Sequence, residues 1–120
     1  MKKQLVVIIS EGLDNERASV AWSIANGGIN NDLEVSVFLV SSGVDWVRKG
    51  AMERPHLNPE DPTMNNMIQN VLDSGCAIGV CPPCIKVRGY TVEDLIDGVE
   101  VVGSGFIHER IKNGAATLNF

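Results

Sequence analysis

Two cysteines three positions apart, Cys81 and Cys84, with Pro82 and Pro83 between them and Lys86 and Arg88 just beyond, are the residues of this chain whose types and spacing favour covalent chemistry. The thiolate is the reactive form of cysteine, and neighbouring cations or helix-start amides raise its share by lowering the thiol pKa. Lys86 and Arg88 are therefore read as thiolate-stabilising, the more so because a helix begun by proline lacks an amide donor. Two chemistries fit. In one, Cys81 takes the outer sulfur of a persulfide and hands it on, with Cys84 assisting or resolving. In the other, the pair cycles between dithiol and disulfide. The bland alternative is a pair of small buried hydrophobes.

The third cysteine stands apart from this pair. If residues 76 to 80 are extended, Cys76 lies about 16 Å from Cys81, at the other end of a strand. That is too far for a disulfide or a shared metal, so Cys76 is read as a core residue. His56 and His108 are the only imidazoles, and a Cys2His2 metal site built from them is the minor reading. No metal or cofactor is assigned.

The elements that must position Cys81 follow from hydrophobic patterning. Ala77–Val80 is a short apolar run between turn residues, as in a parallel strand covered on both faces, which places Cys81 at the carboxyl end of the strand. Open α/β sheets carry their ligand sites at that edge. The rest of the chain alternates in the same way. Leu5–Ile9 is a first buried strand. Asp14 is placed to cap a helix with Ala18, Ala21, Trp22 and Ala25 on one face, ended by Asn26-Gly27-Gly28. Glu34–Val40 is a second strand.

Residues 50 to 62 hold three prolines and no period, and read as a long loop. Thr63 caps a helix whose Met64, Met67, Ile68, Val71 and Leu72 fall on one face. Thr91-Val-Glu-Asp94 resembles a capping box with Asp in the place of Glu. A strand at 99–102, a helix at 104–113 and a strand at 115–120 complete the series. Such alternation selects a three-layer α/β/α sandwich with a mostly parallel five-stranded sheet, the whole of 1–120 forming one domain. Right-handed crossovers gather the Ser10–Leu13 turn, an insertion over about 43–62 and the cysteine loop at one edge. Ser10, Glu11 and His56 then become candidate lid or loop contacts, while Trp46, Met52 and Leu57 either pack on the domain or meet a partner.

Composition removes several classes of function. A net charge of −5 disfavours nonspecific binding to nucleic acid or to anionic membrane. Gly103-Ser-Gly105 lacks the remainder of a dinucleotide fingerprint, and the chain has no P-loop motif. An odd number of cysteines, three, and the shortness of the apolar run after Met-Lys-Lys point to the cytoplasm, where thiols stay reduced.

The run Val80-Cys81-Pro-Pro-Cys84-Ile-Lys-Val-Arg88-Gly89, followed by Thr-Val-Glu-Asp-Leu-Ile-Asp-Gly-Val-Glu, resembles the DsrE/DsrF/TusD-like family of small sulfur-relay proteins. The order of elements agrees over nearly the whole chain. The resemblance implies that Cys81, eight residues before the glycine of Arg88-Gly89, is the sulfur acceptor. It also implies protein donors and acceptors of sulfur, and homo-oligomers, trimers or hexamers. Cys84 departs from the small residue many members have there, which admits a redox protein or a non-catalytic oligomeric binding module as the alternatives.

Overall fold

A computed structural model describes residues 2–53 and 55–120. Its strands are β1 (Gln4–Ile9), β2 (Glu34–Leu39), β3 (Ala77–Val80), β4 (Glu100–Val101) and β5 (Ala116–Asn119), and its helices α1 (Arg17–Asn30), α2 (Met64–Asp73), α3 (Pro82–Val87) and α4 (Gly105–Lys112). They form one five-stranded sheet in the order β4-β3-β2-β1-β5. Every pairing is parallel, with Leu5 beside Val35, Val37 beside Ile78 and Val7 beside Leu118. The expected sandwich is therefore present, and its sheet is wholly parallel. Steps from β1 to β4 all move in one direction, so right-handed crossovers put α1, α2 and α3 on one face; the return from β4 to β5 puts α4 on the other.

The first face carries the main core. Val7, Ile9, Val37, Leu39, Ile78 and Val80 meet Ala21, Trp22 and Ala25 of α1 and Met67, Ile68 and Val71 of α2, all buried in one cluster. Each large side chain so buried contributes about 1.5–3 kcal/mol. Thr63 caps α2 as its position suggests, its hydroxyl accepting the Asn66 amide at 3.2 Å. The opposite face is thinner: Phe106 of α4 stacks on Phe38 of β2, ring centroids 5.4 Å apart.

Three local expectations are corrected. Helix α1 begins at Arg17 rather than beside Asp14, because the Asn15 side chain accepts the Arg17 amide at 2.9 Å. It also runs through Gly27-Gly28 to Asn30. Gly28 serves packing instead of termination, since a Cβ there would come within 2.8 Å of Val35 Cγ2, and a bare backbone lets the helix lie close on β2. Finally, the insertion is folded in its first half, while residues 55–62 hold no helix or strand, as expected of a loop. Ser41–Val47 and Ala51–Glu53 are 3-10 turns, and Val44, Trp46, Val47, Ala51 and Met52 are buried. Trp46 and Met52 thus pack on their own domain, and Leu57 rests half-buried against the same core.

Candidate functional site

The carboxyl ends of β1, β2 and β3 stand side by side, joined past their last ladder residues by Val40 N–H to the Ile9 carbonyl at 3.0 Å and Cys81 N–H to the Leu39 carbonyl at 3.0 Å. Cys81 is the residue at which strand gives way to helix. Its backbone is still extended (φ −64, ψ 120), and Pro82 and Pro83 open α3, where a fixed φ suits the first helical turn and a missing N–H costs nothing. One helical turn brings Cys84 round to Cys81, and the two sulfurs lie 2.8 Å apart. Both thiols are free and half-buried.

The segment after β2 closes over this pair. Ser41 has φ 51, in the left-handed region, a conformation costing a non-glycine residue about 1–2 kcal/mol. There its amide donates to Cys84 Sγ at 3.1 Å. Arg88, at the end of α3, donates to the Cys84 carbonyl at 3.1 Å and to Ser42 Oγ at 3.2 Å. It also approaches Asp45 Oδ1 at 3.9 Å, the two side chains 26% and 23% exposed; a pair so exposed is worth under about 1 kcal/mol, so Arg88 acts chiefly through its hydrogen bonds. The Tyr90 hydroxyl donates to the same Asp45 oxygen at 2.6 Å. That bond, with partial burial, holds the Tyr90 pKa above its ordinary range.

The electrostatics of Cys81 differ from the sequence expectation. Burial is the largest influence, followed by the hydrogen-bonding contact with the Cys84 thiol, and both push the Cys81 pKa up; the Cys84 amide pulls the other way. The physical reason is visible in the chain. Two of the first amides of α3 belong to prolines and carry no hydrogen, Lys86 is exposed, and the Arg88 guanidinium is spent on a carbonyl and a hydroxyl. Neither cation has a hydrogen bond to a sulfur among the described residues. Alkylation of Cys81 by iodoacetamide should accordingly rise with pH around a midpoint above that of an ordinary thiol. In Cys84→Ala, which removes the second-largest cause, that midpoint should fall. A midpoint indifferent to Cys84→Ala would show that the two sulfurs do not sense each other.

The other candidate residues distribute as follows. Ser10 joins the chain end, both its amide and its hydroxyl bonding the Phe120 carbonyl at 2.7 and 2.9 Å. Glu11 binds Asn15 through its carboxylate, and its carbonyl accepts Trp46 Nε1 at 2.9 Å. Both therefore brace the rim beneath the insertion. His56 is held elsewhere: its ring meets the Asp61 carbonyl at 2.9 Å, and the Asp61 carboxylate accepts Ser19 Oγ of α1 at 2.6 Å. The part of the insertion that touches the cysteine loop is Ser41–Asp45, not the stretch around His56. His108 is exposed on α4. Cys76 is half-buried below β3, at the foot of the sheet, and packs against the core cluster.

Sequence reasoning missed Ser41, Ser42, Asp45 and Tyr90. The first three follow the carboxyl end of a strand, which is a usable signal; Tyr90 bears none beyond its nearness to Arg88. The described cavities lie away from the pair. The groove between α1 and α2, for example, has a volume of about 530 Å³ and is lined by Asn26, Asn30, Asn66 and Asn70 among others.

Among relatives, the chain is 33% identical over 99 residues to an uncharacterised protein of Methanopyrus kandleri, covering 81% of this chain and 77% of that one. It is 32% identical over 100 residues to an uncharacterised protein of Methanocaldococcus jannaschii, covering 82% of each. Its fold is similar to that of the ychN protein of E. coli, with a TM-score of 0.79 at 20% identity over 100% of both chains. It is also similar to that of a protein of unknown function from Methanobacterium thermoautotrophicum, with a TM-score of 0.74 at 21% identity over 99% of this chain and 100% of the other. The matching family model spans residues 2–120, and the chain belongs to the DsrE/DsrF-like family.

Proposed function

We propose that this protein is a sulfur carrier in which Cys81 holds a sulfane sulfur as a transient persulfide, received from one protein and passed to another. In the receiving step the Cys81 thiolate attacks the outer sulfur of the donor persulfide. A bond forms from Cys81 Sγ to that sulfur, the donor's sulfur–sulfur bond breaks, and the donor cysteine leaves as a thiolate with no net oxidation. The observation that carries this reading is the placement of Cys81, half-buried where β3 ends and α3 begins, on a rim that a partner surface can approach. Family membership supports it. So does the neighbouring thiol at 2.8 Å, which is placed to exchange with whatever Cys81 carries. The partners on this reading are a protein donor, a protein acceptor and other copies of this chain; the exposed Leu118 of β5 and Ile111 of α4 are available for self-association.

The same sulfur–sulfur contact favours a second reading, a dithiol–disulfide redox protein. A test on one sulfur at a time separates the two. Cys84→Ala, incubated with a cysteine desulfurase charged with L-cysteine, should gain about 32 Da on Cys81. Cys81→Ser/Cys84→Ala should gain nothing at that position. An unmodified Cys84→Ala, beside a wild type that readily forms the Cys81–Cys84 disulfide, would favour the redox protein.

A further inference from the structure

Where Cys84 Sγ sits relative to Cys81 Sγ decides what becomes of a sulfur carried on Cys81. The Ser41 amide donates to the Cys84 sulfur and Arg88 bonds the carbonyl of the same residue, and that sulfur lies 2.8 Å from the Cys81 sulfur. A persulfide on Cys81 places its outer sulfur one bond further out, so the sulfur atom nearest Cys84 remains the inner one.

We infer from this geometry, building on the receiving step of the carrier reading above, that a persulfide no acceptor protein has taken is discharged by the chain itself: Cys84 attacks the inner sulfur and the carried atom leaves as hydrogen sulfide. In this step the Cys84 thiolate forms a bond to Cys81 Sγ, the bond between Cys81 Sγ and the outer sulfur breaks, and HS⁻ departs with the electron pair of that bond. The sulfane sulfur is reduced by two electrons, the two cysteine thiols are oxidised to a disulfide, and no outside oxidant enters. Displacement at sulfur is in line, so the outer sulfur leaves on the side opposite Cys84. Cys84 is on this account a catalytic residue, and Arg88 with Ser41 positions it. The chain then needs a dithiol reductant to regenerate the pair, a thioredoxin-class protein or dithiothreitol, and each turnover converts one protein persulfide and one dithiol into one protein thiol, one sulfide and one disulfide.

The test uses the full chain and a cysteine desulfurase that bears its persulfide and has been desalted free of cysteine, so that sulfide arises only from the transferred atom. Wild type should release about one sulfide per chain above the desulfurase alone, lose about 2 Da, and show a Cys81–Cys84 disulfide on peptide mapping. Added dithiothreitol and a second charge should yield a second equivalent. Cys84→Ser, with Cys84→Ala as a second variant should the first fold poorly, should keep about 32 Da on Cys81 and release no sulfide. A wild type that retains the adduct as long as the Cys84 variants do overturns the inference and leaves the carrier reading standing. Cys84 variants that never take up the sulfur overturn both.

Discussion

Gly43→Ala is expected to destabilise the protein by about 3 kcal/mol or more, at the upper end of what forced overpacking costs. The glycine has no positive φ to excuse it; what it supplies is room. A Cβ at Gly43 would lie 2.1 Å from the Ile9 carbonyl oxygen and 2.9 Å from its carbon. Both atoms belong to the last residue of β1, and that carbonyl already accepts the Val40 amide. Backbone tied into the sheet cannot step aside as a flexible side chain does, so the Ser41–Val47 turn must lift instead. Lifting it carries away the Ser41 amide and the Ser42 hydroxyl that grip Cys84 and Arg88. Urea denaturation at unchanged slope should show the lowered midpoint, and thermal unfolding should begin about 10 °C lower. A loss below about 1 kcal/mol would mean that the turn does not rest on β1.

Trp46→Ala should cost about 4 kcal/mol, as truncation of a fully buried aromatic does. Trp46 is 0% exposed and sits in the cluster between the insertion and the α1–α2 face. Its indole N–H also donates to the Glu11 carbonyl at 2.9 Å, and leaving a buried carbonyl without its donor adds about 1 kcal/mol. Against a total stability of roughly 5–15 kcal/mol for a domain, this single change would remove a large fraction of it. Trp46→Phe divides the effect: it keeps most of the ring's burial and loses the hydrogen bond, so about 1–2 kcal/mol is expected. Equal losses for the two variants, read from denaturant midpoints, would show that the hydrogen bond and not the packing holds the insertion down.

The sequence alone determined the layers of this protein and the address of Cys81 at a strand end. Continuous apolar runs such as Leu5–Ile9 and Ala77–Val80 fit strands buried on both faces, and the five apolar positions of residues 64–72 fit a helix with one buried side. Those two periodicities are local, so they are legible residue by residue. Given alternation, the handedness of crossovers fixes which strand ends share an edge, and Cys81 at the end of β3 follows. Cys84 was legible for the same reason: three positions on a helical turn is a local distance.

What only the tertiary structure decided is everything that depends on two segments meeting. Gly27-Gly28 look like a stop until β2 is seen lying against Gly28. Whether Trp46 and Met52 pack inward or meet a partner is open until the core beneath them is in place. The surroundings of the sulfurs are of this kind too. Lys86 and Arg88 were close to the cysteines in sequence, but direction, not separation along the chain, decides what a cation acts on. The fold exposes Lys86, turns Arg88 to the Cys84 carbonyl, and leaves burial and a neighbouring thiol to govern Cys81. Ser41, which reaches the Cys84 sulfur, and Ser42 and Asp45, which meet Arg88, follow a strand about 40 residues upstream, and no spacing rule within the cysteine motif encodes them.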